Sequence, residues 1–437
     1  NMGNSVKGKV AIMNPLDFEV LHTIGKGPIS RVRLVKKKKD GEVSAWKILC
    51  KDDVIKANQV KTLKREITIH CQMKHSFITR FLGFGQTKGH LYLNIELCPG
   101  GELFKLLRRK GRMTLDEVRF YSSQVILALA FLRSKGVVFR DLKPENILID
   151  KDGYIKLSDF GCSKQIKNNK TYSVCGTPRY MAPEIIKISL TLRGQYYDEL
   201  EGKIKSLKDN KSKESEVISN TQSKIMGDIK LSRNGKTDSS IELASQKEDS
   251  ADNANCANNI KEESTNCNND SEGNKTRNRS ANVESNDLMV FYPEIANGYG
   301  YSADYWSLGV LIYEMIAGID PFAAVTDKGI QEKILRNKID YNNYFDEDSV
   351  ELVSYLLRAD HEKRLGVNNI KEIMKMKFFS KINFSDIEQK KIKVDVSKIG
   401  NITEVNSGVK YDEHERSPML FESKGDPFIG WFEDFGK

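Results

Sequence analysis

Residues 139–161 read FRDLKPENILIDKDGYIKLSDFG, and this stretch decides the fold. A short apolar β run, Ile147–Ile149, precedes the turn residues Asp152 and Gly153, and a return strand follows over residues 154–157. Apolar runs joined by an Asp-Gly turn are typical of a β-hairpin. Because a hairpin folds its two ends together, we expect the residues before the first strand to lie beside those after the second.

Charged and amide side chains lie at the two ends of this hairpin. Asp141 and Asn146 precede the hairpin, Asp159 follows it, and Lys143 lies between the first two. A carboxylate and an amide oxygen can hold Mg²⁺, a second carboxylate can orient a hydroxyl nucleophile, and an ammonium group can stabilise the migrating charge. An acidic surface hairpin would explain DKDG alone, but it does not explain RDLKPEN and DFG at the two ends.

These motifs resemble the catalytic loop and the DFG loop of the eukaryotic protein kinases. The resemblance implies an α+β fold of two lobes, with ATP as the phosphoryl donor and Mg²⁺ as its metal ion. We expect a small, β-rich N-lobe over residues 18–97 and a larger, α-rich C-lobe in two parts, 98–186 and 297–366. The catalytic residues that the resemblance implies are Asp141, Lys143, Lys47 and Glu66, and the metal ligands are Asn146 and Asp159.

The composition suits a globular protein and excludes several other classes. The chain has 437 residues, enough for two or three packed units, and 39% of them are hydrophobic. Its net charge of +9 is spread along the chain without a basic block interleaved with aromatic residues, which argues against nucleic acid as a partner. Seven scattered cysteines without a CxxC pair predict reduced thiols and a cytoplasmic location. No apolar run is long enough to span a membrane.

The N-terminal extension, residues 1–17, begins with a sequence that resembles a lipidation signal. MGNS at residues 2–5 is similar to the start of N-myristoylated proteins, with Gly3 as the acceptor once Met2 is removed. Lys7 stands where such signals usually carry Ser or Thr, so an unmodified N-terminus is the alternative. A single acyl chain gives only marginal binding, so we expect a cytoplasmic protein with weak membrane association.

Residues 25–30, GKGPIS, lie between two predicted strands and resemble the nucleotide-binding loop of the kinases. Glycines in such a loop let backbone N–H groups approach phosphates closely. Ser30 stands at the position of the family's third glycine, and Pro28 and Ile29 replace a small residue and an aromatic tip. Because of these departures, the sequence does not predict how the loop closes or how fast phosphate is transferred.

Further positions in both lobes would complete the nucleotide site. Lys47 would neutralise the α and β phosphates, and Glu66, in a helical stretch over residues 60–73, would fix that lysine by an ion pair. His70 stands four residues after Glu66, where relatives carry an aliphatic packing residue. The cofactor-binding residues implied by the resemblance are Ile24, Gly25, Lys26, Gly27, Val32, Ala45, Lys47, Glu96, Cys98, Glu102, Glu145, Asn146 and Asp159.

The altered glycine loop leaves one rival from another class, a pseudokinase that scaffolds partners without catalysis. The intact nucleotide lysine, its Glu partner, the catalytic Asp and both metal ligands argue against this rival. Glu145, which follows Lys143 and Pro144, favours Ser or Thr over Tyr as the acceptor in this superfamily. We therefore expect a serine/threonine protein kinase.

Residues 175–184, CGTPRYMAPE, resemble the activation and substrate-docking segment of the AGC group of kinases, and most closely that of the cAMP-dependent kinases. Ser173 falls where this group carries its activating phosphate. Arg140 and Lys164 match the cations that clamp that phosphate, since a phosphate paired with Arg can order a loop.

Two structural positions also resemble those of the family. Asp304 is similar to the residue that anchors the backbone of the catalytic loop, and Arg364 is similar to the ion-pair partner of Glu184. A second Pro-Glu-Ile triplet leaves Glu294 as an alternative partner, although the contiguous GTPRYMAPE favours Glu184.

Two long segments extend beyond the kinase lobes. Residues 187–296 are rich in Asn, Ser, Lys and Glu, with few apolar residues and no sustained period, which predicts a largely disordered insertion in the C-lobe. Residues 367–437 resemble the C-terminal tail of the AGC kinases. By this resemblance the segment 411–413 approaches the nucleotide, and a groove on the N-lobe takes up four aromatic residues, Phe428, Trp431, Phe432 and Phe435.

Three acidic positions match those at which cAMP-dependent kinases meet two Arg residues upstream of the target Ser: Glu102, Glu145 and Glu314. Each alone has another explanation, as a solvated charge at a helix start or as the buried partner of a structural Arg. Together they predict Arg-Arg-x-Ser-apolar substrates. Arg179 stands where one relative carries an acidic residue, so we expect a weaker preference for Arg further upstream in the substrate. An apolar seat for the residue after the target would come from Val174, Pro178 and Met181.

The expected subtype is a catalytic subunit of the cAMP-dependent type. A cGMP-dependent kinase, the alternative within the group, would carry cyclic-nucleotide modules upstream in the same chain, whereas only a short extension precedes Phe18. We therefore expect a separate, cyclic-nucleotide-binding regulatory subunit as a partner, besides protein substrates with basic sites.

Overall fold

The computed structural model describes residues 11–166, 170–194, 298–399 and Phe432. Three predictions lie outside these residues: the acylation of Gly3, most of the insertion, and the tail beyond residue 399 apart from Phe432. The chain divides into two units. The first comprises Asn1–Thr171, Cys175–Ile186 and Tyr299–Lys437, and the second comprises Tyr172–Val174 and Lys187–Gly298.

A five-stranded antiparallel sheet forms the N-lobe, with the strand order β1-β2-β3-β5-β4. β-branched and aromatic residues recur in these strands, and the tight turns that join them carry glycine, which suits antiparallel hairpins. The strands are β1 (Phe18–Lys26), β2 (Ser30–Lys37), β3 (Val43–Cys50), β4 (Phe81–Gln86) and β5 (His90–Ile95).

Two helices, α1 (Lys51–Lys56) and α2 (Val60–His70), connect β3 to β4. The apolar face of α2 contributes Leu63 and Ile67 to a core that also contains Phe84 of β4. Phe432, which was predicted to fill a groove on this lobe, is buried in the same core. Its ring also lies 5.3 Å from Lys51 Nζ.

The hairpin predicted from the sequence is present and belongs to a three-stranded sheet with the order β6-β8-β9. Ile147 pairs with Leu157 and Ile149 with Ile155, and Gly153 takes the turn at a φ of +82°, a conformation that glycine adopts without strain. A separate pair, β7 with β10, flanks the hairpin along the chain. The strands are β6 (Gly101–Glu102), β7 (Val137–Val138), β8 (Ile147–Ile149), β9 (Ile155–Leu157) and β10 (Lys164–Gln165).

Helices make up most of the C-lobe. Helix α4 (Leu115–Ser134) begins at a capping box, in which the Thr114 side chain accepts from the Glu117 N–H and the Glu117 side chain accepts from the Thr114 N–H. Helix α6 (Ser302–Ala317) is buried along nearly its whole length, which explains its apolar sequence. Within the described residues, no helix has the length and apolar character needed to cross a bilayer. The helices are α3 (Leu103–Lys110), α4 (Leu115–Ser134), α5 (183–194), α6 (Ser302–Ala317), α7 (Asp327–Arg336), α8 (Glu347–Leu356), α9 (Lys371–Met374) and α10 (Phe384–Glu388).

The expectation that the cysteines are reduced is wrong for one pair. Cys162 and Cys175 form a disulfide across 13 residues of sequence, with their Cα atoms 5.9 Å apart. The sequence could not predict this pair, because the two residues meet only when the loop after the hairpin folds back. Cys50, Cys71 and Cys98 are free thiols.

Candidate active site

A lysine between two carboxylates lies at the centre of the site. Lys47 is on β3, where it pairs with Val32 of β2 and Leu93 of β5, so the sheet fixes the direction of its side chain. Its Nζ lies 2.7 Å from Oε1 of Glu66, on α2, and 3.2 Å from Oδ1 of Asp159. The structure thus brings together three of the predicted residues, from a strand, a helix and the loop after β9.

These contacts fix the charge states at the centre of the site. Burial alone lowers the pKa of Lys47, but the carboxylates of Asp159 and Glu66 outweigh it and hold the pKa above its ordinary value. The Lys47 ammonium in turn lowers the pKa of Asp159, against the effect of burial. At neutral pH the site therefore presents an ammonium and an ionised Asp159, the forms that suit a phosphate and a metal ion.

Asp141 lies within a hydrogen-bonded cluster that holds both of its carboxylate oxygens. Its Oδ1 accepts from the Thr177 N–H at 3.0 Å and from the Thr177 hydroxyl at 2.7 Å. Its Oδ2 accepts from Asn146 Nδ2 at 2.8 Å and lies 2.9 Å from Lys143 Nζ. Lys143 Nζ also donates to Thr177 Oγ1 at 2.6 Å. The carboxylate is therefore oriented before a substrate arrives, which favours a catalytic role.

Thr177 is the residue of this cluster that sequence analysis missed. It belongs to the CGTPRYMAPE segment, which was matched as a block without a role for its threonine. The sequence did show that Thr177 places a hydroxyl in a segment expected to dock substrates. The hydroxyl alone could not indicate which catalytic residue it contacts.

A buried carboxylate anchors the backbone of the catalytic loop. Asp304, on α6, accepts from the Phe139 N–H at 2.8 Å and from the Arg140 N–H at 2.7 Å, as predicted from its position. Burial raises the pKa of Asp304 to about 6, despite these two donors. Arg140 has a φ of +72°, which is unusual for a non-glycine residue, and its Nη1 donates to the Tyr299 hydroxyl at 3.1 Å. These bonds stabilise the loop shape that presents Asp141.

A second buried carboxylate stabilises the C-lobe. Glu184 pairs with Arg364 through two contacts, of 2.6 Å and 2.9 Å, and both residues are buried. This is the pair predicted from the sequence; the alternative partner, Glu294, lies outside the described residues. A bidentate guanidinium–carboxylate pair fixes two segments that are far apart in sequence.

The hairpin positions the two predicted metal ligands next to each other. The N–H and the hydroxyl of Ser158 donate to the Asn146 carbonyl at 2.9 and 3.1 Å, so Asp159, the next residue, lies beside Asn146. Because Asn146 Nδ2 donates to Asp141, its amide oxygen is the atom left to face a cation. Among the described residues there is no larger cluster of metal-binding side chains. Two oxygen ligands nevertheless fit Mg²⁺, which is usually held by one or two protein groups together with phosphates and water.

Six of the predicted nucleotide-binding residues lie on the first three strands of the N-lobe. Ile24, Gly25 and Lys26 belong to β1, Val32 to β2, and Ala45 and Lys47 to β3. Gly25 pairs directly with Val32, and the Gly27 N–H closes the turn by donating to the Ser30 carbonyl at 2.9 Å. Ile29, at the tip of this loop, packs against the N-lobe core.

Glu96 and Cys98, two of the predicted cofactor-binding residues, form hydrogen bonds within the protein. The Glu96 carboxylate accepts from the Arg80 N–H at 3.0 Å and lies 3.1 Å from Lys156 Nζ, while the Glu96 N–H donates to the Arg80 carbonyl. Cys98 is buried, and its carbonyl accepts from the Gly101 N–H at 3.2 Å. These bonds do not use the Glu96 carbonyl or the Cys98 N–H, and both groups suit the predicted binding of the cofactor.

Two of the three acidic residues predicted to bind substrate, Glu314 and Glu145, interact electrostatically. Glu314, on α6, accepts a hydrogen bond from the Tyr180 hydroxyl and lies 3.5 Å from Arg108 Nη2. Burial is the main cause of its raised pKa, and the nearby charge of Glu145 contributes. Among the described residues, the buried Oε2 of Glu145 has no hydrogen-bond partner. Glu314 is thus a buried partner of Arg108, which is the alternative explanation given for it, and its role in substrate binding stays a prediction.

The other residues predicted to bind the substrate or the activating phosphate lie on several different elements. Glu102 is on β6, opposite Leu148, with Lys105 Nζ 3.6 Å from its carboxylate. Arg179, within the short 3₁₀ turn Pro178–Tyr180 that precedes Met181, pairs with Asp320 at 2.7 Å. Lys164 lies on β10, paired with Val138. Ser173 and Val174 belong to the second unit, and their roles stay predictions.

Sensitivity of the fold to acid should arise in part from His70. Burial lowers the pKa of His70 from 6.5 to about 4, and the Lys47 charge contributes, while the Thr79 carbonyl and Asp159 oppose the shift. The folded protein therefore holds a neutral imidazole that the unfolded chain would protonate. The neutral His70 therefore contributes fully to stability above pH 6.5. As the pH falls towards 4, this contribution should be lost, and the free energy of unfolding should fall by about 3 kcal/mol.

Urea unfolding of the wild type and of His70→Leu at pH 7 and pH 4.5 measures this contribution. The variant should lose less stability between the two pH values. Some loss should remain, because burial also lowers the pKa of His75 and His90. Equal losses in the two proteins would contradict the assignment to His70.

A family model of the protein kinase domain matches residues 18–200 and 274–379, more than half of the chain. The chain belongs to the protein kinase family. The predicted two-lobed fold is confirmed, and the family implies the use of ATP.

Several curated proteins are similar to this kinase. They include the cAMP-dependent protein kinase catalytic subunit PRKX of Mus musculus, 28% identical over 402 residues, with 91% of this chain and 82% of the relative covered. The PRKX of Homo sapiens is 29% identical over the same span and with the same coverage. The serine/threonine-protein kinase AtPK2/AtPK19 of Arabidopsis thaliana is 28% identical over 379 residues, covering 86% of this chain and 57% of the relative. The family match and these relatives confirm the predicted class, an AGC-like serine/threonine protein kinase.

Proposed function

We propose that this kinase transfers the γ-phosphoryl group of ATP, bound with Mg²⁺, to Ser or Thr in Arg-Arg-x-Ser-apolar sequences. The observation that carries the proposal is the cluster around Asp141, in which Thr177, Asn146 and Lys143 hold both carboxylate oxygens. Such an arrangement suits a group that must meet an incoming hydroxyl in one orientation.

Each residue of the site has a role in the proposed reaction. Asp141 accepts a hydrogen bond from the target hydroxyl and takes its proton as the new P–O bond forms and the bond to the β-phosphate oxygen breaks, leaving ADP. Lys143 contacts the γ-phosphate beside Asp141. Lys47, held by Glu66, neutralises the α and β phosphates.

Asn146 and Asp159 would hold the Mg²⁺. When bound, the ion neutralises charge on the phosphates of ATP. The protein's own contribution is the geometry of the hairpin, which keeps the two oxygen ligands adjacent, and the Lys47 contact, which keeps Asp159 ionised.

Glu145 and Glu314 support the proposed recognition of arginine. Within the part of the chain that the structure describes, one buried oxygen of Glu145 accepts no hydrogen bond, and a buried acceptor without a donor is unfavourable. A substrate guanidinium would supply the missing donors, and the neighbouring Glu314 adds negative charge. Charge-assisted pairs of this kind are strong when shielded from water. Glu102, at the edge of the same small sheet as the catalytic hairpin, would meet the second Arg.

Glu145→Gln tests this recognition, because it removes the charge and keeps the size of the side chain. With an Arg-Arg-x-Ser-apolar peptide, we expect KM for the peptide to rise by about tenfold or more, with little change in kcat. Glu332→Gln, an exposed change on α7, is the matched control and should behave as the wild type. With a peptide in which both Arg are replaced by Ala, Glu145→Gln and the wild type should be alike. A peptide array in which the wild type prefers Pro or an acid beside the Ser, and ignores upstream Arg, would contradict the proposal.

We further propose that the kinase is a catalytic subunit of the cAMP-dependent type, controlled by a separate cyclic-nucleotide-binding subunit. The support is similarity, since two of the relatives described above are named as cAMP-dependent catalytic subunits. Activation by a phosphate on Ser173, a cytoplasmic location and weak membrane association through an acylated Gly3 belong to the same proposal.

A further inference from the structure

Arg179 adjoins the acidic residues proposed to bind the substrate. The next residue in the chain, Tyr180, donates its hydroxyl hydrogen to Glu314. Asp320, the ion-pair partner of Arg179, also acts on Glu314: burial is the main cause of the raised pKa of Glu314, and the charges of Asp320 and Glu145 add to it. Arg179 is therefore a positive group at the border of an acidic region.

Asp320 fixes one edge of the Arg179 side chain. It is 7% exposed, and its Oδ2 accepts from Arg179 Nη1 at 2.7 Å. Its Oδ1 accepts from the N–H of Phe322 at 3.0 Å, so both oxygens of the carboxylate are engaged. The guanidinium is thus held in one place before a substrate arrives, which reduces the entropy cost of binding a further group.

The other edge of this guanidinium is open to solvent. The Arg179 side chain is 47% exposed, and among the described residues Asp320 is its one hydrogen-bond acceptor. A guanidinium carries five N–H donors in a planar fork. The donors on Nε and Nη2 therefore remain for a second carboxylate, which could bind there while Asp320 keeps its own contact.

Two of the three carboxylates in this region already have an arginine of the chain itself. Asp320 pairs with Arg179, and Glu314 lies 3.5 Å from Nη2 of Arg108. Glu145 differs, because its buried Oε2 accepts no hydrogen bond from the described residues. An Arg of the substrate is therefore best matched to Glu145, whereas the surface at Asp320 presents a positive group to the substrate.

We propose that Arg179 is a specificity-determining residue that binds an acidic side chain of the substrate, upstream of the Arg residues that precede the target Ser. The inference rests on the proposed function, which assigns Glu145 and Glu314 to those Arg residues. A substrate residue that reaches Arg179, next to Glu314, is a neighbour of the Arg residues. A guanidinium repels a further Arg at that place and can form a bidentate pair with Asp or Glu.

Peptides that differ at one position test this preference. They share an Arg-Arg-x-Ser-apolar core and carry Glu, Ala or Arg at each flanking position in turn, upstream and downstream. At one or more upstream positions we expect Glu to raise kcat/KM about three- to fivefold over Ala, mainly through KM, and Arg to lower it, as for a partly exposed ion pair. The advantage of Glu should shrink when the salt concentration is raised to about 0.5 M, because salt screens such pairs.

Variants of the full chain assign the preference to Arg179. Arg179→Gln should remove the advantage of Glu, and Arg179→Glu should reverse it in favour of Arg. Asp320→Asn keeps the charge of Arg179, so it should keep the preference for Glu. Arg336→Gln, at an exposed arginine of α7, is the matched control and should show the preferences of the wild type.

The outcomes separate this inference from the proposed function. If the wild type phosphorylates none of the peptides, the proposed function is wrong. If the wild type is active but upstream Glu, Ala and Arg give the same kcat/KM within about twofold, or if an acid is preferred only downstream, the inference is overturned. The inference is also overturned if Arg179→Gln keeps the preference for Glu, or if Asp320→Asn loses it.

Arg179→Lys decides if Arg179→Gln does not fold. The lysine keeps the positive charge beside Asp320 but lacks the planar fork. A smaller advantage of Glu with this variant supports the contact, and an unchanged advantage overturns it.

Discussion

Asp159→Asn should abolish phosphoryl transfer and leave the protein folded. The change removes one negative charge without a change in size. The Asp159 side chain contacts Lys47 at 3.2 Å, and Glu66 also pairs with the Lys47 ammonium. An amide is a much weaker Mg²⁺ ligand than a carboxylate, and electrostatic stabilisation is the largest source of rate in this kind of reaction. We expect kcat to fall by at least about 10³-fold.

Labelled phosphate transfer and thermal unfolding together test this expectation. The melting temperature should stay close to that of the wild type, because Lys47 keeps its shorter contact with Glu66. Asp360→Asn, a change at an exposed turn, is the control for the loss of one negative charge and should be fully active. Substantial turnover by Asp159→Asn at ordinary Mg²⁺ concentrations would contradict the assignment of the metal site.

Asp141→Ala should lower kcat by on the order of 10²–10⁴, the usual contribution of a positioned acid–base group. The affinity for ATP should barely change, because the contacts of Asp141 are with Thr177, Asn146 and Lys143 rather than with the residues proposed to bind the nucleotide base. Asp141→Asn keeps the size of the side chain and one acceptor oxygen, and it should be impaired to a similar degree because it cannot take the proton.

Steady-state kinetics with ATP and peptide varied separately measure this effect. A low kcat with an unchanged KM for ATP is the expected pattern. A large rise in KM for ATP with kcat preserved would show that Asp141 binds the nucleotide rather than orienting the acceptor hydroxyl.

The sequence predicted those parts of the site that depend on short-range patterns. The hairpin β8–β9 follows from two apolar runs and an Asp-Gly turn, and it alone brings Asn146 next to Asp159. The pairing of Lys47 with Glu66 came from the family resemblance, because nothing local in a strand and a helix fixes their distance. The structure now gives that distance as 2.7 Å.

The sequence could not predict contacts that form only when distant segments meet. The two bonds from Thr177 to Asp141 join residues 36 positions apart through a loop whose path no periodicity indicates. The disulfide between Cys162 and Cys175 depends on the same folding back of the segment after the hairpin. His70 departs from the aliphatic residue of relatives, but its contacts with the rings of Phe81 and Phe160 could be found only in the structure.

The most direct test of the central claim is the transfer of labelled phosphate from [γ-³²P]ATP to an Arg-Arg-x-Ser-apolar peptide by the wild-type chain. The peptide with Ala in place of the target Ser and the Asp159→Asn protein are the two blanks. We expect Mg²⁺-dependent labelling of the target Ser, and none with either blank. Absence of labelling by folded wild-type protein, or equal labelling by Asp159→Asn, would contradict the account of this site as a working kinase centre.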